Sequence, residues 1–261
     1  MDNVCMVKSG DATPIAYRRS GEGPPVILVG GAFSTAESEA PLARLLSPVF
    51  SVITYDRRGR GASGDTAPYA VEREIEDLAV LLEEAGGNAS VYGMASGAAL
   101  VLEAAIAGLP ITQLALYEPP YVTGPADPRG TAAYRERLAR LLELGLRDEA
   151  VELFLSAVDA TPAMIAAMRR SPMWPGLTAV AHTLAYDDAV LGRGAVPAKR
   201  LSAVRTRAMV VDGGASPAAL RDAARATAKS LPRGRHRTLT GQTHEVAPHV
   251  LAPVLEEFFA A

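Results

Sequence analysis

The fold is decided by the segment Tyr92-Gly93-Met94-Ala95-Ser96-Gly97, which joins an apolar strand directly to an apolar helix. The strand is predicted over residues 90–92 and the helix over residues 98–107. Glycines stand two positions before and two positions after Ala95, where they leave room for a sharp turn. The spacing therefore predicts that residue 95 lies at the tip of a strand-to-helix turn, above a helix N-terminus that stabilises negative charge.

Outward from this turn, the apolar residues switch between strand and helix periods along most of the chain. Such alternation is typical of a parallel sheet with helices on both faces. Strands are predicted over residues 15–19, 26–29, 52–55, 90–92, 111–117, 208–211 and 235–239. Helices are predicted from residue 34 or 35 to 46 and over 71–84, 98–107, 217–230 and 246–259.

The alternation stops at Glu118-Pro119-Pro120, and only helical patterns follow until about residue 199. These patterns cover residues 131–144, 147–156, 162–170 and 177–186. We therefore predict an α/β core over 1–121 and 201–261, built on a mostly parallel, doubly wound sheet, with a helical cap inserted at 122–200. The cap would cover the carboxyl edge of the sheet, where open α/β sheets bind ligands.

The composition limits the class of protein. Of 261 residues, 49% are hydrophobic and 21% are charged, which is ordinary for a globular protein and excludes intrinsic disorder. A net charge of −3 argues against a dedicated nucleic-acid or anionic-membrane binder. The single cysteine, Cys5, excludes a disulfide framework and a multi-cysteine metal site.

Residues 1–10 show no signal-peptide pattern, and the longest apolar stretch is interrupted by Glu103 and several glycines. We therefore expect a cytoplasmic protein. We also expect a small-molecule substrate, no cofactor or metal, and neither a nucleic acid nor a membrane as partner. The sequence gives no indication of the oligomeric state.

The turn has the frame of the G-x-S-x-G motif, in which a serine on a strained strand-to-helix turn is the nucleophile. Here the central position holds Ala95. Centring the motif on Ser96 would place Met94 and Ala98 where the glycines belong, so the frame cannot be shifted. Two glycines also recur by chance in such turns, and the interpretation therefore depends on the features that accompany them.

One such feature is the loop Gly30-Gly31-Ala32-Phe33 after the first core strand, which usually supplies an oxyanion-hole donor beside the residue after the nucleophile. The donor pair would be the backbone N–H groups of Ala32 and Ser96. Another is His244, which lies between the last strand and the last helix, where a triad histidine would be. The order elbow, acid, histidine also agrees with this arrangement.

With these residues in this order, the chain resembles the α/β-hydrolase superfamily over essentially its full length and is similar to small actinobacterial serine hydrolases. The loop Asp56-Arg57-Arg58-Gly59-Arg60-Gly61 adds to the resemblance. The resemblance implies an α/β-hydrolase fold and a Ser-His-acid triad, in which Ala95 stands at the nucleophile position and His244 is the base.

The resemblance leaves the triad acid open between two carboxylates. Relatives with a haloperoxidase-like pattern carry an aspartate in a Gly-x-x-Asp segment, but Ser216 occupies that position here. One branch of haloalkane dehalogenases places a carboxylate after the strand that follows the elbow helix, and Glu118 fits that placement. We predict Glu118 as the acid and keep Asp212 as the alternative. The competing interpretation of Glu118 is a carboxylate that caps the start of the insertion.

The remaining polar and apolar features are assigned to structure and to substrate binding. The loop from Asp56 to Arg58 is interpreted as organising the turn beside the elbow through ion pairs, rather than as an anion site. Methionine and aromatic side chains of the cap and of the Gly30-Gly31 loop indicate an apolar pocket for a small or medium-sized organic substrate. These candidate substrate-binding residues are Phe33, Met164, Met168, Trp174, His182 and Tyr186.

Three functions fit these residues. The first is a hydrolase for an apolar ester, lactone or thioester whose nucleophile is replaced by Ala95, which makes this an inactive or substrate-trapping form. The second is an enzyme that needs no nucleophile, a cyclase, lyase or isomerase in which His244 is a general base. The third is a ligand-binding pseudo-hydrolase.

Overall fold

The computed structural model describes residues 4–123 and 132–260, and eight strands in these residues form one sheet. The strands are β1 (Cys5–Lys8), β2 (Pro14–Ser20), β3 (Pro25–Val29), β4 (Ser51–Tyr55), β5 (Ala89–Met94), β6 (Ile111–Tyr117), β7 (Arg207–Gly213) and β8 (Gly234–Leu239). Their spatial order is β1-β2-β4-β3-β5-β6-β7-β8. Only the pairs β1–β2 and β2–β4 are antiparallel.

Helices cover both faces of this sheet. They are α1 (Ala36–Leu46), α2 (Val71–Glu84), α3 (Ser96–Ile106), α4 (Ala132–Glu143), α5 (Arg147–Ala157), α6 (Pro162–Arg169), α7 (Trp174–Ala179), α8 (Leu184–Leu191), α9 (Ala198–Leu201), α10 (Ala218–Ser230) and α11 (Pro248–Phe259). One core packs α2, α3 and α10 against the sheet, and the other packs α1 and α11 against the opposite face. The predicted doubly wound α/β fold is therefore confirmed.

The helices α4–α9 lie between β6 and β7 in the chain, and we call this segment the cap. It has small apolar clusters of its own, one around Leu138 and Leu184 and one around Trp174. The first residue of the predicted helix 131–144 lies outside the described residues, and residues 132–143 form α4. Ala32 and Phe33 pack against the first of these clusters, so the cap lies over the carboxyl end of β3.

One sequence prediction of local structure was wrong, and one strand was not predicted. The helix predicted over 177–186 is divided into α7, a 3-10 turn (Ala181–Thr183) and α8. The Thr183 hydroxyl donates to the Val180 carbonyl at 2.7 Å and accepts from Arg60 at 3.1 Å, so contacts with the core hold the break. Strand β1 was not predicted, because it is a short edge strand whose side chains are mostly exposed.

The carboxyl ends of β5, β6 and β7 meet at one edge of the sheet, since these strands are parallel neighbours. Ala95 follows β5, Glu118 follows β6, and Gly213 ends β7. Helix α3 starts directly above Val29 and Gly30, because Gly97 has no side chain: a Cβ atom there would lie 2.4 Å from the carbonyl oxygen of Val29.

We expect Gly97→Ala to lower the free energy of unfolding by about 1–3 kcal/mol, because the added methyl group forces α3 away from β3. The matched control is Gly176→Ala in α7, where an added Cβ meets no atom within 4 Å. Alanine is the better helix former, so this control should be neutral or stabilising by up to about 1 kcal/mol. Urea unfolding followed by circular dichroism measures both. Equal stability of the two variants would show that the α3–β3 contact is not tight.

Candidate active site

The turn at Ala95 has the strained backbone of a nucleophile elbow. Ala95 adopts φ 51° and ψ −123°, in a region that residues with a side chain rarely occupy. A Cβ atom on Gly93 would lie 2.7 Å from the Cα atom of Ala98, so this glycine is also required by the close contact of β5 with α3. The methyl group of Ala95 faces Gly31, whose added Cβ would lie 3.0 Å from it.

Glu118 and His244 form a pair at the same edge of the sheet. Glu118 is fully buried, and its Oε2 lies 2.7 Å from Nδ1 of His244. Its Oε1 accepts a hydrogen bond of 2.8 Å from the backbone N–H of Gly213. Burial raises the pKa of Glu118, but the hydrogen bonds from His244 and Gly213 outweigh burial, so its pKa lies below the ordinary value. The carboxylate is therefore ionised at neutral pH and fixes the orientation of the imidazole.

The other candidate acid, Asp212, is bound to a different histidine. Asp212 is fully buried on β7, and its Oδ2 lies 2.6 Å from Nε2 of His236 on β8. The structure thus brings Glu118, and not Asp212, to His244. Ser216, at the position of the Gly-x-x-Asp aspartate, is buried in the loop after β7. The role of Glu118 as the triad acid stays a prediction.

Two backbone N–H groups flank Ala95. Within residues 4–123 and 132–260, neither the N–H of Ala32 nor that of Ser96 has a hydrogen-bond acceptor. Ser96 begins α3, so its amide belongs to the first turn, where N–H groups have no partner inside the helix. Ala32 lies in the loop that contacts the elbow through Gly31. Two such donors beside one point can stabilise a negatively charged oxygen.

The arginine-rich loop after β4 is held by buried ion pairs, as predicted. Arg57 donates two hydrogen bonds of 2.7 Å to Glu74, and Arg58 donates bonds of 2.8 and 2.7 Å to Asp77. Asp56 accepts from the backbone N–H of Ala36 at 2.7 Å and so caps the start of α1. These contacts fix the loop beside the elbow.

Sequence reasoning missed two residues of this network, Arg60 and Asp187. Arg60 donates to the carbonyl of Gly31 and, at 2.8 Å, to Oδ2 of Asp187 in the cap. Oδ1 of Asp187 accepts from Arg57 and from the hydroxyl of Ser96, both at 2.7 Å. The sequence signal was the pair Asp187-Asp188 on a helix that is otherwise largely apolar, where a buried carboxylate needs partners.

The candidate substrate-binding residues occupy different environments. Phe33, beside Ala32, packs edge-to-face on Phe154 of the cap at 5.2 Å. Trp174 is buried in a cap cluster, where its N–H donates to Asp148, and Met168 packs on the same cluster. Met164 is exposed on α6. Their role in substrate binding stays a prediction.

His182 and Tyr186 both belong to the cap, and both contact Asp65 in the loop that follows the arginines. Nε2 of His182 lies 3.3 Å from Asp65, and the hydroxyl of Tyr186 donates to the same carboxylate at 2.9 Å. Tyr186 also stacks on Tyr69, with ring centroids 3.9 Å apart. Both side chains thus join the cap to the core, and their predicted contact with a substrate is not tested by this arrangement.

In 4–123 and 132–260, no group of three or more His, Cys, Asp or Glu side chains could hold a metal ion. No helix in the same part of the chain is long and apolar enough to cross a membrane.

Comparisons with known proteins agree with the fold. The model of the alpha/beta hydrolase family matches residues 26–257. A solved alpha/beta hydrolase from Sphaerobacter thermophilus is 54% identical, with a TM-score of 0.92 over 98% of this chain and 100% of that chain. A thermophilic esterase from Thermogutta terrifontis is 20% identical, with a TM-score of 0.76 over 99% of this chain and 98% of that chain, which shows the fold alone.

A curated relative, the uncharacterized hydrolase YraK of Bacillus subtilis, is 34% identical over 96 residues. That match spans only 35% of this chain and 35% of the relative.

We expect Glu118→Gln to lower the free energy of unfolding at pH 7 by about 1.5–3 kcal/mol, the range for hydrogen bonds to charged groups. Because the folded pKa of Glu118 is depressed, its contribution is complete above the unfolded pKa and disappears as the pH falls through the folded pKa. Urea unfolding at pH 7, 5 and 3.5 measures this effect. The difference in free energy of unfolding between Glu118→Gln and the unsubstituted chain should shrink only at the lowest pH.

The control for this experiment is Glu143→Gln, at the exposed end of α4, which should change stability by less than about 0.5 kcal/mol. A Glu118→Gln difference that grows on acidification would contradict the depressed pKa.

Proposed function

The chain belongs to the alpha/beta hydrolase family, and on this premise we propose that its site is built for acyl transfer from an ester, lactone or thioester to water, with Ala95 in the place of the nucleophile. The observation that carries the proposal is the pairing of His244 with a buried carboxylate, beside a turn at Ala95 that keeps a positive φ. Alanine gains nothing from that strained backbone, whereas a serine there would present its hydroxyl at the tip of the turn.

In a chain with serine at position 95, the hydroxyl oxygen attacks the substrate carbonyl and His244 accepts its proton through Nε2. Glu118 holds Nδ1 of the imidazole and stabilises the imidazolium that forms. The N–H groups of Ala32 and Ser96 receive the oxyanion of the tetrahedral intermediate. His244 then returns the proton to the leaving group, and a water molecule activated in the same way releases the acid.

As it stands, the chain has no oxygen at position 95 and forms no acyl-enzyme. Removal of a serine nucleophile costs several powers of ten in rate, and the remaining acceleration comes from the oxyanion hole and from binding. Substrate binding needs neither the hydroxyl nor the proton transfer. We therefore assign this chain as a form that binds its substrate and releases it largely unchanged.

A second candidate function uses the site without a nucleophile. The His244–Glu118 pair is complete in the present chain, and Nε2 of His244 has no partner in residues 4–123 and 132–260. A bound carbon acid could lose a proton to Nε2 while the N–H groups of Ala32 and Ser96 stabilise the enolate. A cyclase, lyase or isomerase could use this chemistry. The experiments below distinguish this function from acyl transfer.

The substrate class follows from the surroundings of the site. Phe33 and Phe154 place aromatic rings next to Ala32, where the acyl group of a substrate would lie. Apolar rings beside a pair of backbone donors favour a small or medium-sized apolar acyl compound over a charged one.

Reaction with a fluorophosphonate tests the acyl-transfer site directly. We expect intact-mass spectrometry to show one phosphonyl adduct on the Ala95→Ser chain and none on the present chain. In the Ala95→Ser background, His244→Ala should remove labelling. His236→Ala should not, because His236 belongs to the other carboxylate pair. If the serine form stays unlabelled, the site is not built for acyl transfer and the general-base function takes its place.

Hydrolysis of p-nitrophenyl acetate tests the assignment of the acid in the same Ala95→Ser background. We expect Glu118→Gln to lower kcat by roughly 10³- to 10⁴-fold, because the imidazole loses its orientation and its counter-charge. Asp212→Asn should change kcat by less than about tenfold, since Asp212 contacts His236 and not His244. A large loss from Asp212→Asn alone would overturn the assignment of Glu118.

A further inference from the structure

Both backbone donors beside Ala95 are connected to one carboxylate of the cap. Oδ1 of Asp187 accepts a hydrogen bond of 2.7 Å from the hydroxyl of Ser96, the residue whose N–H is one donor. Oδ2 of Asp187 accepts from Arg60 at 2.8 Å, and Arg60 in turn donates to the carbonyl of Gly31. One side chain from α8 is therefore linked to both sides of the candidate oxyanion hole, to Ser96 directly and to the Gly31–Ala32 peptide through Arg60.

The bond from Arg60 acts on the same peptide group that carries the second donor. The carbonyl of Gly31 and the N–H of Ala32 belong to one planar, resonance-stabilised unit. A cationic donor on the oxygen of that unit fixes its plane and increases the polarity of its N–H, because hydrogen bonds in a chain polarise one another. The N–H of Ser34 also donates to this oxygen, at 3.2 Å, but Arg60 is the charged donor and the one that is linked to the cap.

The bond from Ser96 acts on the first turn of α3. Ser96 is buried, and its hydroxyl has a charged acceptor instead of the neutral backbone oxygen that serines usually find. This bond fixes the residue immediately after Ala95 and, with it, the direction of its N–H. Arg57 adds weaker contacts of 3.4 Å to the Ser96 hydroxyl and to the carbonyl of Gly30.

The network is buried and balanced in charge. Arg57 and Arg60 face Glu74 and Asp187, and all four side chains are at most 5% exposed. Burial raises the pKa of Asp187, but Arg60 and Arg57 outweigh it, so the pKa lies below the ordinary value and the side chain stays ionised. Removal of one charge would leave its partners uncompensated in a low-dielectric site, which is strongly unfavourable.

We propose that Asp187 is a positioning residue of the oxyanion hole, which aligns the N–H of Ala32 through Arg60 and the N–H of Ser96 through its hydroxyl. The proposal rests on the proposed acyl-transfer function. It makes docking of the cap a condition for a complete oxyanion hole, because Asp187 is carried by the cap and both donors belong to the core. A cap that only covered the substrate would have no need of this connection.

The kinetic test uses the Ala95→Ser chain, with Asp187→Asn as the variant and Asp188→Asn as its matched control. Asp188 is the next residue of α8 and pairs with Arg135 within the cap, away from Ala32 and Ser96. Loss of an oxyanion donor costs about 10²- to 10³-fold in kcat, so we expect a loss of about 10²-fold for Asp187→Asn with KM within about twofold. The control should retain the parent kcat.

If Asp187→Asn does not fold, a second variant, Ser96→Ala, tests the same proposal. Ser96→Ala removes only the hydroxyl bond, leaves Asp187 paired with both arginines, and should lower kcat about tenfold, the effect of one hydrogen bond to a charged group. An unchanged kcat in Asp187→Asn, or in Ser96→Ala when the first variant does not fold, would overturn the proposal. An equal loss in the Asp188→Asn control would also overturn it, because the cap would then act only through its general stability.

A measurement that does not depend on enzymatic activity, the NMR amide resonances, separates this proposal from the proposed function. In the present Ala95 chain, Asp187→Asn removes the counter-charge of Arg60 and should weaken the Arg60 bond to the Gly31 carbonyl. The amide nitrogen resonance of Ala32 should therefore shift upfield in Asp187→Asn and stay unmoved in Asp188→Asn. If the Ala95→Ser chain is inactive but this shift appears, the acyl-transfer function fails while the positioning of the two donors stands. Unmoved Ala32 and Ser96 resonances in Asp187→Asn would overturn the positioning itself.

Discussion

The close contact between the first turn of α3 and the end of β3 is the constraint on which the site depends. Gly97 allows this contact, since any side chain there would meet the carbonyl groups of Val29 and Gly30. Because α3 starts so close to β3, the chain must reverse within one residue, and Ala95 takes the positive φ. The same contact places the N–H of Ser96 beside the loop that carries Ala32. Without it, the N–H of Ser96 would lie farther from that loop, although β3 and β5 are parallel neighbours.

Periodicity predicted most of the architecture, because buried parallel strands and two-faced helices leave strong signals in the sequence. The signal was absent at β1, an exposed edge strand of four residues. It was misleading over 177–186, where the apolar spacing suits one helix but Arg60 and Thr183 hold a break between α7 and α8. In the second case, a contact between residues distant in sequence decides the local structure.

The site also contains residues that local sequence signals predict and residues that only contacts distant in sequence determine. The glycines around Ala95 predict the turn, since the steric need for them is local. The choice between Glu118 and Asp212 is different, because both are buried carboxylates at strand ends and each contacts a histidine. Which histidine each carboxylate contacts depends on the strand beside it and on the face of the sheet to which its side chain points, and neither can be read from a local motif. Asp187 and Arg60 were missed because they are separated by 127 residues, and neither belongs to a local motif.

The position of the cap in the chain also affects how the sheet can assemble. Strands β6 and β7 are hydrogen-bonded neighbours, yet the whole cap separates them in sequence. Closing an unstructured loop of about 90 residues has an entropic cost that rises with the logarithm of its length. The two apolar clusters of the cap shorten that loop if they collapse first. A cap that collapses early would therefore lower the entropic cost of pairing β6 with β7, and the rate of sheet assembly would then depend on this segment.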